Sequence, residues 1–335
     1  MSTIKDVSRL SKVAISTVSN VLSGKKYVSE ELRTRILAAC KELNYSTNVM
    51  ASALVTHRTN LIGVFLTAKK NQFDTFYSDL LHGICVAGNE NGVNPILYYN
   101  VLDAEGLTQL LLPGKGIMDG AIILTPSEND FRLERFRQDN LKHVIIGSPE
   151  KEHQKDGGSY YIDADNEDIC YKMTKHLIEQ GHRRILFVSG LKEYTICIDR
   201  ERGFFKAVKE CGLIEEEQRV CNLLEGEKNG RRIFEEVPGD YSAVLLDSSN
   251  LIPGARKYAE RVGKTVGEDF AIVSLGGDMH TQYETDITTM YVDYYQVGYQ
   301  SAKMLFDLIE NKPVQPSFLH NYYTIEYRKS SEFQI

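Results

Sequence analysis

From Leu61 onward, short apolar runs alternate with amphipathic stretches, and no other feature of the chain constrains its fold as strongly. Leu61-Ile-Gly-Val-Phe-Leu precedes a helical stretch at 76–91, Pro95-Ile-Leu-Tyr-Tyr one at 103–112, and Met118-Asp-Gly-Ala-Ile-Ile-Leu one at 128–139; His143-Val-Ile-Ile follows. After Tyr160-Tyr-Ile the order repeats, with a helix over 166–180, Ile185-Leu-Phe-Val, helices over 200–211 and 228–236, Ala243-Val-Leu-Leu, a helix over 251–262 and Phe270-Ala-Ile-Val. Such runs suit strands buried on both faces, and the helix between each pair supplies a crossover, so parallel sheets covered by helices are expected. Thr289-Met-Tyr-Val and a late helix at about 295–310 predict a crossing back to the first of two α/β lobes. Two lobes of this kind leave a cleft at the carboxyl ends of their strands, where ligands bind.

The first sixty residues follow another period. Thr3-Ile4-Lys5-Asp6 reads as a capping box, and Ile4, Val7 and Leu10 at helical spacing predict a helix over 4–11. Lys12-Val13-Ala14 interrupts it. A second short helix runs over 16–22, with Val18, Val21 and Leu22 on one side and small polar residues on the other. A third starts at Ser29 as N-cap, with Glu30 and Glu31 suiting the helix dipole, and reaches about Asn44; Leu32, Ile36, Cys40 and Leu43 form its inward stripe. Two short helices, a three-residue turn and a packing helix fit a helix-turn-helix, whose second helix enters the DNA major groove. An ordinary three-helix cap shows the same helix pattern.

Charge is divided along the same line. The 335 residues carry a net charge of −7, which taken whole disfavours a nucleic-acid binder. Residues 1–60, however, hold 9 Lys and Arg against 4 Asp and Glu, while the remainder holds 30 against 42. A small basic head precedes a large acidic body. The six cysteines and eight histidines are scattered without metal-ligand spacing, so reduced, mostly buried thiols and no metal site are expected. Polar residues directly after Met1, and no apolar run long enough to span a bilayer, point to a cytoplasmic protein with no membrane partner. Gly114-Lys-Gly116-Ile-Met-Asp-Gly120 leads into a strand instead of following one and fails as a dinucleotide loop. With no nucleophile elbow, phosphate loop or zinc motif, neither an enzyme nor a cofactor is expected.

Residue identities decide between the two readings of the head. Thr3-Ile-Lys-Asp-Val-Ser-Arg-Leu, Ser16-Thr-Val-Ser-Asn-Val-Leu-Ser-Gly and Val28-Ser-Glu-Glu-Leu-Arg-Thr-Arg-Ile-Leu, continued by Leu43-Asn-Tyr45, Ala51-Ser-Ala-Leu54, Thr59 and Ile62-Gly63, resemble the headpiece of the LacI/GalR family of bacterial repressors. The resemblance is gapless over about sixty residues. It implies a helix-turn-helix headpiece at 1–46, a hinge helix and linker at 47–60, and a periplasmic-binding-protein-like core at 61–335. Within that core the first lobe takes about 61–161 and 293–321, and the second about 162–292 and 322–330.

The resemblance also implies roles. Thr3, Ile15, Ser16, Thr17, Ser19 and Asn20 contact DNA, with Thr17 and Ser19 on phosphates, Asn20 suited to an adenine edge and Ile15 to a thymine methyl. In the hinge, Ala51 lies close to the groove floor and Leu54 wedges a base step, unless Leu54 only packs a linker helix. Thr47, Ser52, Val55, Ala14 and Lys12 depart from the family pattern. In the core, Met118-Asp-Gly, Gly181-His-Arg-Arg-Ile and Arg200-x-x-Gly203-Phe204 keep a looser likeness. Phe76 and Tyr77 correspond to an aromatic pair at the cleft mouth, or else are core residues opening a helix. Arg200, Ser248 and Asp278 correspond to effector contacts, with plain surface solvation as the alternative for Arg200 and Asp278. The partners implied are an operator in double-stranded DNA, a sugar or sugar-phosphate effector and a second copy in a homodimer. A protein corepressor or a nucleobase is the alternative regulator.

Overall fold

The computed structural model describes residues 2–23, 28–45, 58–66, 75–99, 118–149, 159–224, 230–277, 286–315 and 322–333. The chain forms two compact units, Met1–Thr59 and Asn60–Ile335. Ala51, Leu54 and Asp278, together with the expected helix at 103–112, lie outside the described residues.

The first unit contains three helices, α1 (Ile4–Ser11), α2 (Ile15–Ser23) and α3 (Glu30–Glu42). The capping box closes through the Asp6 carboxylate, which accepts from the Thr3 amide at 2.9 Å and the Thr3 hydroxyl at 2.7 Å. Those two bonds hold the Asp6 carboxyl below its ordinary pKa. Lys12 ends α1 in the left-handed region at φ 53°, a conformation a side chain resists, which gives a physical reason for Gly or Asn there. Ala14 accepts the first α2 bonds through its carbonyl and offers no side-chain acceptor as cap. Val7, Val18, Val21, Ile36, Ala39 and Cys40 form the buried core.

The second unit has two sheets. The first, in the order β2-β1-β3-β4-β5, is parallel and comprises β1 (Leu61–Leu66), β2 (Asn94–Tyr99), β3 (Gly120–Leu124), β4 (His143–Ile146) and β5 (Tyr161–Ile162). Helices α4 (Thr75–Asn91) and α5 (Phe131–Gln138) belong to this lobe. After β5 the chain enters the second lobe with α6 (Asn166–Glu179), β6 (Ile185–Ser189), α7 (Thr195–Glu210), β7 (Arg219–Asn222), α8 (Arg231–Glu236), β8 (Ala243–Leu246), α9 (Ile252–Arg261), β9 (Ala271–Gly277) and β10 (Thr288–Val292). It then returns to pack α10 (Tyr294–Ile309) on α4 and the first sheet, and re-enters the second lobe as β11 (Tyr323–Glu326). The second sheet runs β11-β10-β9-β8-β6-β7, with only β11 antiparallel.

Strands β1, β3, β4, β6 and β8 are buried almost throughout, as their continuous apolar runs require. Strand β7, Arg-Val-Cys-Asn at the sheet edge, is too short and mixed to be read from periodicity. Helix α7 begins at Thr195, five residues before the start expected at 200. Gly203 lets α7 cross α6 closely: a Cβ there would lie 2.1 Å from the Glu167 carbonyl oxygen. Three of the six cysteines are buried and Cys85 is exposed, a more varied set than mostly buried thiols. Among the described residues no helix is long and apolar enough to cross a membrane, and no acidic, His and Cys cluster could hold a metal.

Candidate functional site

Two surfaces stand out, one on each unit. On α2, Val18 and Val21 face the core, while Ile15, Ser16 and Ser19 are exposed and Asn20 and Thr17 half-buried. With about 100° per residue, Ile15, Ser16, Ser19 and Asn20 fall within one sector of roughly 140°, opposite the buried valines. Ile15 is 44% exposed, a large apolar side chain at the first helical position that lies outside the core cluster of its unit. Ser16 and Ser19 offer hydroxyls beside it. Such a face can meet a methyl-bearing base edge and phosphate oxygens at once. Thr3 lies apart, as the N-cap of α1, with its hydroxyl engaged by Asp6.

The second surface lies at the carboxyl ends of the two sheets, which face one another across bridging loops. The loop after β3 meets the start of α7 through Glu128 N–H to the Glu193 carbonyl at 2.9 Å and the Thr195 hydroxyl to the Pro126 carbonyl at 3.3 Å. The loop after β4 adds Thr195 to the Ser148 carbonyl at 2.7 Å and the Ser148 hydroxyl to Asp199 Oδ2 at 2.5 Å. Thr125 in the first of these loops has φ 47°, unusual for a β-branched residue. Buried Arg132 steadies that stretch by donating to the carbonyls of Leu124 and Thr125 at 3.4 Å, itself paired with Asp130 at 2.5 Å.

Arg200 projects from α7 at the point where the strand order reverses between β6 and β8, the usual position of a ligand crevice in an open α/β sheet. It is 4% exposed, which removes plain surface solvation as its role. Its Nη1 donates to Asp247 Oδ1 at 2.6 Å and to the Asp247 carbonyl at 3.0 Å, its Nε to Asn166 Oδ1 at 3.1 Å, and its Nη2 to the Leu275 carbonyl at 3.3 Å. Burial disfavours the guanidinium charge, but the Asp247 carboxylate and the Tyr294 phenol outweigh it and hold the pKa above its ordinary value.

Asp163, at the crossing from β5 into α6, accepts from Asn166 Nδ2 at 3.0 Å. Burial raises its pKa to about 7 against the opposing pull of that bond, of backbone amides and of Arg200. Ser248 sits at the end of β8, where its hydroxyl accepts from the Asn250 amide at 3.3 Å. Tyr77 is 5% exposed and packs in the first lobe's core, so its ring acts as a core residue opening α4. Phe76 lies on the same first turn of α4, with its side chain outside the described residues. Sequence reasoning did not single out Asp163, Asn166, Thr195, Ser148 or Asp247. Only their positions after strand ends could have marked them.

Three family models match the chain. Residues 3–48 match the bacterial regulatory proteins of the lacI family, and residues 174–331 a periplasmic binding protein-like domain. Residues 59–236, more than half the chain, match the periplasmic binding proteins and sugar binding domain of the LacI family. The chain belongs to the LacI family. This LacI-family protein is 29% identical over 330 residues to the HTH-type transcriptional regulator RegA of Clostridium saccharobutylicum, covering 96% of this chain and 97% of that one. It is 28% identical to the ribose operon repressor of Halalkalibacterium halodurans, over 94% and 92% of the two chains. In fold it resembles the crystal structure of the Lac repressor dimer bound to operator and the anti-inducer ONPF, with a TM-score of 0.82 at 20% identity, over 98% and 99% of the chains. The LacI-family protein is a DNA-binding transcriptional regulator and not an enzyme.

Proposed function

We propose that this LacI-family protein is a cytoplasmic, ligand-responsive repressor of a carbohydrate-utilisation operon. As a homodimer it binds a palindromic operator and is controlled by a sugar or sugar phosphate held in the cleft between the lobes. The observation that carries this reading is the α2 face of Ile15, Ser16, Ser19 and Asn20, which lies opposite the buried Val18 and Val21 and exposes Ile15, Ser16 and Ser19. Two such faces, one from each copy, read the half-sites of a palindrome. Ala51 and Leu54 of the hinge enter the minor groove between them, and Thr3, Thr17 and Ser19 set register on phosphates.

The effector contacts are Arg200, Ser248, Asp278 and Phe76. A guanidinium at the switch point of a parallel sheet, with a carboxylate beside it, offers both a donor and an acceptor to vicinal hydroxyls. Effector binding alters the angle between the lobes and so biases the hinge toward or away from its DNA-bound form. Likeness to a ribose operon repressor supports the sugar class, and likeness in fold to a dimer on operator supports the assembly. The basic excess of residues 1–60 draws the headpiece to phosphates and makes binding salt-sensitive.

Titration of a labelled palindromic duplex at fixed salt tests the reading. Affinity for the palindrome well above that for a scrambled duplex is expected, and equal affinities would remove it. Thermal shift with sugars, sugar phosphates and nucleobases then sorts the effector class; a shift with nucleobases alone would turn the regulator away from sugars.

A further inference from the structure

The core begins at Asn60 with a clamp. Asn60 stands in the left-handed region at φ 55°, which Asn tolerates better than most side chains. Its amide donates to Asp119 Oδ2 at 2.8 Å, and its carbonyl accepts from the Asn94 amide, at the start of β2, at 2.9 Å. The next carbonyl, that of Leu61, accepts from the Asp119 amide at 2.8 Å. The ladder between β1 and β3 starts only at Ile62 and Gly120, so these bonds extend the hold on the chain two residues further back.

The residue that accepts from Asn60 is itself held. Asp119 lies between the buried Met118 and Gly120, at the foot of β3. A Cβ on Gly120 would lie 2.9 Å from Leu305 Cδ1 and 3.0 Å from Ile309 Cδ1, so α10 presses on β3 at its first residue. The far end of β3 is fixed as well, by Arg132 at the Leu124 and Thr125 carbonyls and by Thr195 at the Pro126 carbonyl. A short strand, buried along its length and pinned at both ends, gives the Asp119 carboxylate a set position, and the carboxylate gives one to the Asn60 amide.

Residues 1–59, a compact unit of their own, reach the core through this point. A chain that swivels where it leaves the core explores many directions, and that freedom is lost when two linkers must meet in one groove. Attachment through phosphates alone makes no such demand. We infer that Asp119 is a positioning residue for operator binding: through the Asn60 amide it fixes the direction in which the linker leaves the core, and so favours the specific complex without touching DNA. The inference rests on the reading of a homodimer on a palindrome and adds a residue to it.

The probe is a palindrome recovered from random duplexes by binding-site selection with the full-length protein, with and without sugars, sugar phosphates and nucleobases. It is titrated beside a scrambled duplex of the same length at fixed salt. One clamp acts in each copy, and in Asp119→Ala affinity for the palindrome should fall by about tenfold, ~1.4 kcal/mol, while affinity for the scrambled duplex holds within about twofold. Asp119→Asn keeps an oxygen for the Asn60 amide and should retain most of the palindrome affinity. Thermal melts confirm that the variants are folded. Should Asp119→Ala fail to fold, Asn60→Pro removes the same bond from the donor side and should show the same selective loss. An unchanged palindrome affinity in the folded variant would overturn the inference, as would a loss shared by both duplexes or a loss in Asp119→Asn as large as in Asp119→Ala. Failure of the selection to enrich any palindrome would overturn the operator reading itself and the inference with it.

Discussion

The Thr195 hydroxyl of the second lobe donates to the Ser148 carbonyl of the first at 2.7 Å, and the Ser148 hydroxyl donates back to Asp199 on the helix that Thr195 begins. Together with Glu128 and Glu193, these groups tie the loops at the carboxyl ends of both sheets. Any change in the angle between the lobes must break or re-form them. Each bond contributes about 1 kcal/mol net, so the clasp as a whole lies within the range that a ligand's differential affinity can shift.

Thr195→Val keeps the volume of a 5% exposed side chain and removes its hydroxyl, leaving the Ser148 carbonyl short of a donor. Urea denaturation should show a loss of about 1–3 kcal/mol. A loss within about 0.5 kcal/mol would mean that water replaces the bond and the clasp is loose.

Arg200→Met strands the Asp247 carboxylate and Asn166 Oδ1 in a largely buried setting. The expected cost is about 3–5 kcal/mol, most of it the penalty of a buried charge without its partner. Adding Asp247→Asn should recover at least about 1 kcal/mol of that cost. Additive losses in the double-mutant cycle would show that the two side chains do not act as a pair.

Much of this was legible in the sequence, for identifiable reasons. The buried strands are continuous apolar runs, and the headpiece helices carry caps and stripes that no tertiary contact overrides: Val18, Val21 and Ile36 are buried as their spacing requires. The site was less legible. Arg200 was found through resemblance, but its partner Asp247 is 47 residues away, brought near only by the pairing of β6 with β8. Asp163 and Ser148 are small polar residues after short strands, a pattern shared by any solvent-facing loop. Tyr77 shows a different limit, since the sequence left both a cleft and a core position open for it. An aromatic at a helix start looks the same in sequence whether it faces a ligand or, as here, the core.

Asp163 should make stability depend on pH. Its pKa is raised from 3.8 to about 7 by burial, so the folded protein holds a proton that the unfolded chain has already released. The contribution is fully present below the unfolded value and is lost as the pH rises through about 7. Asp163→Asn cannot ionise, so between pH 5 and pH 8 the balance should move in the variant's favour by about 2–3 kcal/mol. Parallel denaturation curves at the two pH values read this directly. A gap that stays constant with pH would show that Asp163 is ionised throughout.

Ile15 separates folding from DNA reading. At 44% exposure it contributes little to the headpiece core formed by Val7, Val18, Val21 and Ile36. Ile15→Ala should therefore leave the thermal midpoint nearly unchanged, a surface substitution being worth within about 0.5 kcal/mol. If the side chain packs on a thymine methyl, affinity for the specific duplex should fall by about 1–3 kcal/mol while affinity for a scrambled duplex holds. The salt dependence should not change, because no phosphate contact is lost. Equal weakening on both duplexes would place Ile15 outside base readout, and a lowered midpoint would return it to a packing role.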